Sequence, residues 1–249
     1  MKRIRMNKVR AQIKAVITIR DNGERLVDVR KYCPNVVIRL GRRRMKQERT
    51  AYLRASVAKM LREATKYLPK GLRFVINDAW RSSYVQCGIY FDFIKKGQRR
   101  YQGLKGPALI KEIEKYVAPW SGVNASGHMS GGAIDLRIVD SRGHKIPMRS
   151  KSLDYRQNAL SNQPLLPAAQ RKNRAILADA MLRAGFSNYP LEYWHWSYGD
   201  IQWARRNKLK TARYGAVADV KGIYAQELCP CGATHADGRS KKFNHCHGK

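Results

Sequence analysis

Acidic side chains are scarce in this chain of 249 residues: 18 Asp and Glu stand against 50 Lys and Arg, a formal net charge of +32. The imbalance is steep at the start, where residues 1–50 hold 16 basic and 4 acidic side chains, and Arg42-Arg43-Arg44-Met45-Lys46 is the densest run. Such a surface attracts polyanions, so nucleic acid, anionic lipid or an anionic cell-wall polymer are its expected partners; a solvated basic face without a specific partner is the plainer reading. No nucleic-acid-binding motif accompanies the charge, and the arginines are spread along the chain. Long apolar runs are missing too. None approaches the ~18 residues of a membrane span, and the basic start Met1-Lys-Arg-Ile-Arg lacks the continuous apolar stretch of a secretory signal. Cysteine is sparse: five residues, three of them in the last 21. Cys33 and Cys87 are expected to be buried free thiols, and the expected compartment is a reducing cytoplasm. No internal repeat is present.

What remains is an ordinary globular composition, 43% apolar, enough for one main domain and a small appendage. Val36–Leu40, Leu72–Asn77 and Ala133–Val139 read as strands. Val57, Met60, Leu61, Ala64 and Leu68 recur at helical spacing and predict one amphipathic helix from Thr50 to Leu68, closed by Pro69 and Gly71. A second helix is expected from Ala168 to Ala184, ended by Gly185, and residues 149–167 read as an irregular loop over the site. The expected class is α+β, with helices packed on a mostly antiparallel sheet. The expected division is a basic segment 1–25, a catalytic domain 26–210, a linker 211–226 and a C-terminal unit 227–249.

Two segments carry the chemistry: Ser126-Gly-His128-Met-Ser-Gly131-Gly-Ala133-Ile-Asp135 and Glu192-Tyr-Trp194-His195. Together they offer two imidazoles, a carboxylate able to share a metal with them, and a second carboxylate beside the last imidazole. His128, Asp135 and His195, with a fourth position left to water, make the donor set of a catalytic zinc site. Glu192 is then placed to take a proton from that water. Gly131 and Gly132 let the backbone turn so that His128 folds back toward Asp135, which shares a strand face with Ala133.

These motifs resemble the signature of the zinc D,D-peptidases, most closely the D-alanyl-D-alanine dipeptidase branch. The resemblance runs from about Leu26 to about Ala204 and takes in Asp78-Ala-Trp-Arg81-Ser-Ser-Tyr-Val-Gln86 and Trp194-His195-Trp196-Ser197-Tyr198-Gly199-Asp200. It implies an α+β fold around a catalytic zinc, with Arg81 stabilising the oxyanion and Ser126 binding substrate. Arg81 taken alone reads as a surface salt bridge. Ala79-Trp80-Arg81-Ser82 also departs from the family's usual Gly-Tyr-Arg-Pro. The implied substrate is the D-Ala-D-Ala dipeptide. A D,D-carboxypeptidase or wall-lytic peptidase acting on stem peptides is the alternative, and a non-catalytic polyanion-binding module the distant one.

Cys229-Pro-Cys231-Gly232 and Lys241-Lys-Phe243-Asn-His-Cys246-His247 resemble the SEC-C zinc motif. The resemblance implies a structural zinc on Cys229, Cys231, Cys246 and His247, a second ion beside the catalytic one, and a possible protein partner. The stretch 233–240 is longer than that motif's usual turn, so His235 and His245 stand as alternative ligands. The unit is expected to be separable, its loss leaving peptidase activity largely intact.

Overall fold

Ile134, Leu136 and Ile138 alternate with Asp135 and Arg137, and all three apolar side chains are fully buried. This period-two pattern gives the strand one core face and one face free for chemistry. Each buried aliphatic contributes on the order of 1.5–3 kcal/mol.

A computed structural model describes residues 17–41, 50–122, 125–217 and 226–247. The chain runs β1 (Thr18–Ile19), β2 (Leu26–Asp28), α1 (Val29–Tyr32), β3 (Val37–Ile38), β4 (Tyr52–Arg54), α2 (Ala55–Thr65), β5 (Arg73–Asp78), α3 (Ser83–Arg100) and α4 (Gly106–Ile113). After a 3₁₀ turn (Gly127–Ser130) come β6 (Ala133–Val139), α5 (Tyr155–Ala159), α6 (Ala168–Arg183), β7 (Ser187–Tyr189), β8 (Glu192–Ser197), α7 (Ile201–Arg206) and β9 (Thr211–Ala212), and a second 3₁₀ turn covers Phe243–His245. The main sheet has the order β3-β5-β6-β8-β7 and is antiparallel except for the parallel β3–β5 pair. Val57 and Leu61 of α2 and Leu177 and Met181 of α6 share one core with Ile134, Leu136 and Ile138. The expected α+β class, helices on a mostly antiparallel sheet, is what the chain forms. Among the described residues no helix is long and apolar enough to cross a membrane.

Three expected elements change. The helix drawn from Thr50 to Leu68 begins at Ala55, because Tyr52–Arg54 pairs with Leu26–Asp28 as a strand. It ends at Thr65, after which Lys66 and Tyr67 donate to Glu63 O and Ala64 O in tight turns. The strand drawn as Val36–Leu40 narrows to Val37–Ile38, although Arg39 and Gly41 still donate to Ile76 O and Asn77 O. The loop 149–167 carries α5, started by a capping box in which Asp154 accepts from Gln157 N and Gln157 Oε1 accepts from Asp154 N.

The chain flanking 26–210 joins the body. Thr18–Ile19 pairs in parallel with Thr211–Ala212. Arg54, 3% exposed, donates to Ser130 O at 2.8 Å and to Gly215 O at 3.1 Å, and pairs with Asp21 at 2.6 Å. One buried guanidinium thus ties the strand β4, the turn before β6 and both flanks together.

Gly131 has φ +72°, and a Cβ there would meet Leu26 Cδ2 at 2.3 Å; at Gly132 it would meet Tyr198 O at 2.5 Å. Gly131→Ala is expected to cost about 1–2 kcal/mol for the left-handed backbone alone. A melting temperature lower by several degrees checks this.

Candidate active site

The site is assembled where three strands end together. Asp135 on β6 and His195 on β8 are directly opposite each other across the antiparallel pair, on the sheet face away from Ile134. A register shift between Ile76 and Asp78 brings the end of β5 alongside, with Asp78 opposite Asp135. The 3₁₀ turn then carries His128 over the strand ends, with Gly131 in the left-handed conformation at its exit.

Three donor atoms converge there. His128 Nε2 lies 3.1 Å from His195 Nδ1, His195 Nδ1 lies 3.0 Å from Asp135 Oδ1, and His128 Nε2 lies 3.3 Å from that same oxygen. Tetrahedral bonds of about 2.0–2.1 Å place ligand atoms roughly 3.3 Å apart, so the spacing fits a Zn²⁺. The tautomer fits as well. His128 Nδ1–H donates to Ala79 O at 2.8 Å, which leaves the Nε2 lone pair pointing at the other two donors. A cation placed between these two nitrogens and the Asp135 oxygen would accept a lone pair from each.

The electrostatics follow from burial and partners. Burial alone would raise the Asp135 pKa, but the neighbouring His128 and His195 outweigh it and hold the carboxyl below its usual range. Burial opposes protonation of His195, and Asp135 overcomes it and moves that group upward. Burial pushes the Glu192 carboxyl up, with His195 pulling against it. Glu192 thus sits in a dry setting where a carboxylate binds a proton more readily than in water, which suits a group that takes a proton and gives it back.

Arg81 is not the surface salt bridge that a lone reading suggests. Its side chain is 8% exposed, and it donates to Asp78 Oδ2 from Nε at 2.9 Å and from Nη2 at 2.5 Å. Nη1 donates to Gln86 Oε1 at 2.9 Å, and Nη2 lies 4.0 Å from Asp135 Oδ2. Its backbone N donates to His128 O at 3.2 Å, which fixes the arginine and the first imidazole in one frame. Asp78, which holds Arg81, and the Ala79 carbonyl, which orients His128, are not marked by the motifs. Asp78 stands three residues before Arg81 in the quoted segment; the carbonyl left no trace, since any residue supplies one.

A cleft of about 360 Å³ opens over these groups. Arg81, His128, Asp135, Glu192 and His195 all border it, and so does Ser126. One wall is the segment 114–119, and Tyr155 and Trp194 stand on the side of the loop that carries α5. The expected loop over the site is therefore in place, with Tyr155 as its contribution.

The C-terminal donors also converge. Cys229 Sγ lies 3.3 Å from Cys231 Sγ and 3.1 Å from His247 Nδ1, and Cys231 Sγ lies 3.6 Å from Cys246 Sγ. Among the described residues these four form one group able to hold a metal, and His235 and His245 stand outside it. The long insert 233–240 folds back as a hairpin through the Thr234–Ser240 bridge, which leaves Leu228 and Lys242 side by side. Cys33 and Cys87 are both buried. The Arg42-Arg43-Arg44-Met45-Lys46 run lies outside the described residues.

The chain is similar to known proteins in sequence and in structure. The chain is 26% identical over 125 residues to D-alanyl-D-alanine dipeptidase of Escherichia coli (strain K12), covering 50% of this chain and 54% of the relative. It is 30% identical over 107 residues to D-alanyl-D-alanine dipeptidase of Synechocystis sp., covering 36% and 43%. The chain spans about half the length of the curated relatives it matches. Among solved structures, VanYB in complex with D-Alanine-D-Alanine is similar at 17% identity and TM-score 0.40, over 65% of this chain and 81% of that one. A vancomycin-resistance D,D-pentapeptidase VanY in complex with Zn(II) is similar at 16% identity and TM-score 0.38, over 64% and 81%. The profile of the D-ala-D-ala dipeptidase family matches residues 27–211, a span that starts within β2, ends within β9 and encloses every group bordering the cleft. On that match, the chain belongs to the D-ala-D-ala dipeptidase family.

Proposed function

We propose that this chain is a zinc-dependent hydrolase of the D-Ala-D-Ala dipeptide. The observation that carries the reading is the convergence of His128 Nε2, Asp135 Oδ1 and His195 Nδ1 at 3.0–3.3 Å beside Glu192 and Arg81. The cleft volume of about 360 Å³ lies at the small end of ligand pockets and suits a short substrate.

His128, Asp135 and His195 would hold the ion, which would supply Lewis acidity to a water and to the scissile carbonyl. Glu192 takes the proton of the attacking water and passes it to the leaving amine as the C–N bond breaks. Arg81, locked by Asp78 and Gln86, presents fixed positive charge to the carbonyl oxygen as it becomes an oxyanion, with no reorganisation at that moment. The Ser126 hydroxyl binds the substrate at the cleft edge. The walls exclude water and strengthen each of these interactions.

The test is metal analysis of the purified protein combined with release of D-Ala from free D-Ala-D-Ala and from a stem pentapeptide. Release from the dipeptide alone is expected; release from the pentapeptide alone makes this chain a D,D-carboxypeptidase instead. His195→Ala is expected to lose the ion held with His128 and Asp135, and turnover with it. Retention of that ion in the variant would remove His195 from the ligand set.

A further inference from the structure

The C-terminal unit, residues 226–247, has two isolated β-bridges and one 3₁₀ turn, and Phe243 is its one large buried apolar side chain. A unit of that size has no core able to hold it. What holds it is the four-donor cluster and the body on which it sits. Phe243 meets Tyr84 edge-on, ring centroids 5.2 Å apart, and shares a buried cluster with Cys87 and Cys229. His247 meets Trp120 edge-on at 5.1 Å and lies 6.0 Å from Phe91. Tyr84, Cys87 and Phe91 are spaced i, i+3, i+7 and form one stripe along α3.

Another face of the same helix serves the active site. Gln86, wholly buried, accepts from Arg81 Nη1 at 2.9 Å and donates to Ala118 O at 2.7 Å. Ala118 and Pro119 belong to the cleft wall, Pro119 O accepts from Ser126 N at 3.1 Å, and Trp120 follows directly. The helix and the wall thus carry the catalytic arginine and the substrate serine on one side and the C-terminal unit on the other.

We propose that the C-terminal unit is a metal-held brace of the catalytic wall. A thiophilic divalent ion on Cys229, Cys231, Cys246 and His247 fixes Phe243 and His247 against α3 and Trp120, and so sets where Arg81 and Ser126 stand. The unit is therefore not the separable appendage that its sequence suggests, and Phe243, Trp120 and Gln86 are positioning residues for hydrolysis. The inference rests on the D,D-peptidase reading for its kinetic arm only.

The test uses full-length protein loaded with Co²⁺, whose thiolate charge-transfer absorption reports this cluster and not the His–Asp–His site. Cys246→Ser is expected to lose that absorption. Phe243→Ala is expected to keep it, because no ligand is touched. Both variants are expected to show faster amide exchange in 83–91 and 114–120, and a kcat/KM on D-Ala-D-Ala lower by about ten- to a hundredfold, mainly in kcat. Phe243→Leu is expected to restore most of it. Absence of the thiolate absorption in the wild-type protein overturns the proposal, as does unchanged kcat/KM in both variants of an active protein. If Cys246→Ser loses its cooperative melting transition, Phe243→Ala decides. If the wild-type protein hydrolyses no D,D-peptide, the peptidase reading fails, and exchange alone decides the brace: spread into 83–91 supports it, and confinement to 226–247 overturns it.

Discussion

Glu192→Gln is expected to lower kcat on D-Ala-D-Ala roughly a hundred- to ten-thousandfold while zinc content stays at the wild-type level. The amide has nearly the shape of the carboxylate but cannot take a proton. Three donors already converge without Glu192, so the ion has no need of it. Burial raises the proton affinity of Glu192, and the nearby His195 moderates that rise. A group poised in this way exchanges a proton with water and with a leaving amine at little cost in either direction. Metal analysis and steady-state kinetics on one preparation check the prediction. Loss of zinc in the variant would make Glu192 a ligand, and wild-type turnover would move the base elsewhere.

Arg81→Lys is expected to lower kcat roughly a hundredfold or more with little change in KM, since the lost interaction forms at the transition state. Charge is kept in this substitution; geometry is not. The guanidinium reaches Asp78 with two nitrogens and Gln86 with a third, a fork that an ammonium cannot reproduce. The variant also leaves buried polar groups with fewer partners, so a loss of about 1–3 kcal/mol in stability is expected alongside. A rise in KM with kcat unchanged would place Arg81 in ground-state binding instead.

The site was far more legible in the sequence than its surroundings. His128, Asp135, Glu192 and His195 sit in two short segments that the fold brings to one cleft, and a strand with Asp135 between aliphatics can only turn it away from the core. Arg81 needed the family's context, because one arginine among so many carries no signal of its own. The helix α3 carries no clear signal in the sequence, for a physical reason. Val85 and Ile89 face the core while Tyr84, Cys87 and Phe91 face the C-terminal unit, so apolar residues surround it and no single stripe stands out. The strand β4 was absorbed into the helix that follows it, because three residues are too few for an alternating pattern to compete with helical spacing. Its partner, Leu26–Asp28, is a tertiary fact. Pairings between distant segments leave no local trace, and the same holds for the cleft wall 114–119.

The pairing of Thr18–Ile19 with Thr211–Ala212 has a consequence for synthesis. Gly215 donates to Asp21 Oδ2 across 194 positions of chain. A ribosome releases the first of these segments long before it makes the second. Until then Arg54 lacks the Gly215 carbonyl it finally binds. Between the emergence of Asp135 and that of His195, two of the three converging donors are made and the third is not. Contacts this far apart in sequence form slowly, so the buried Arg54 network closes late in folding.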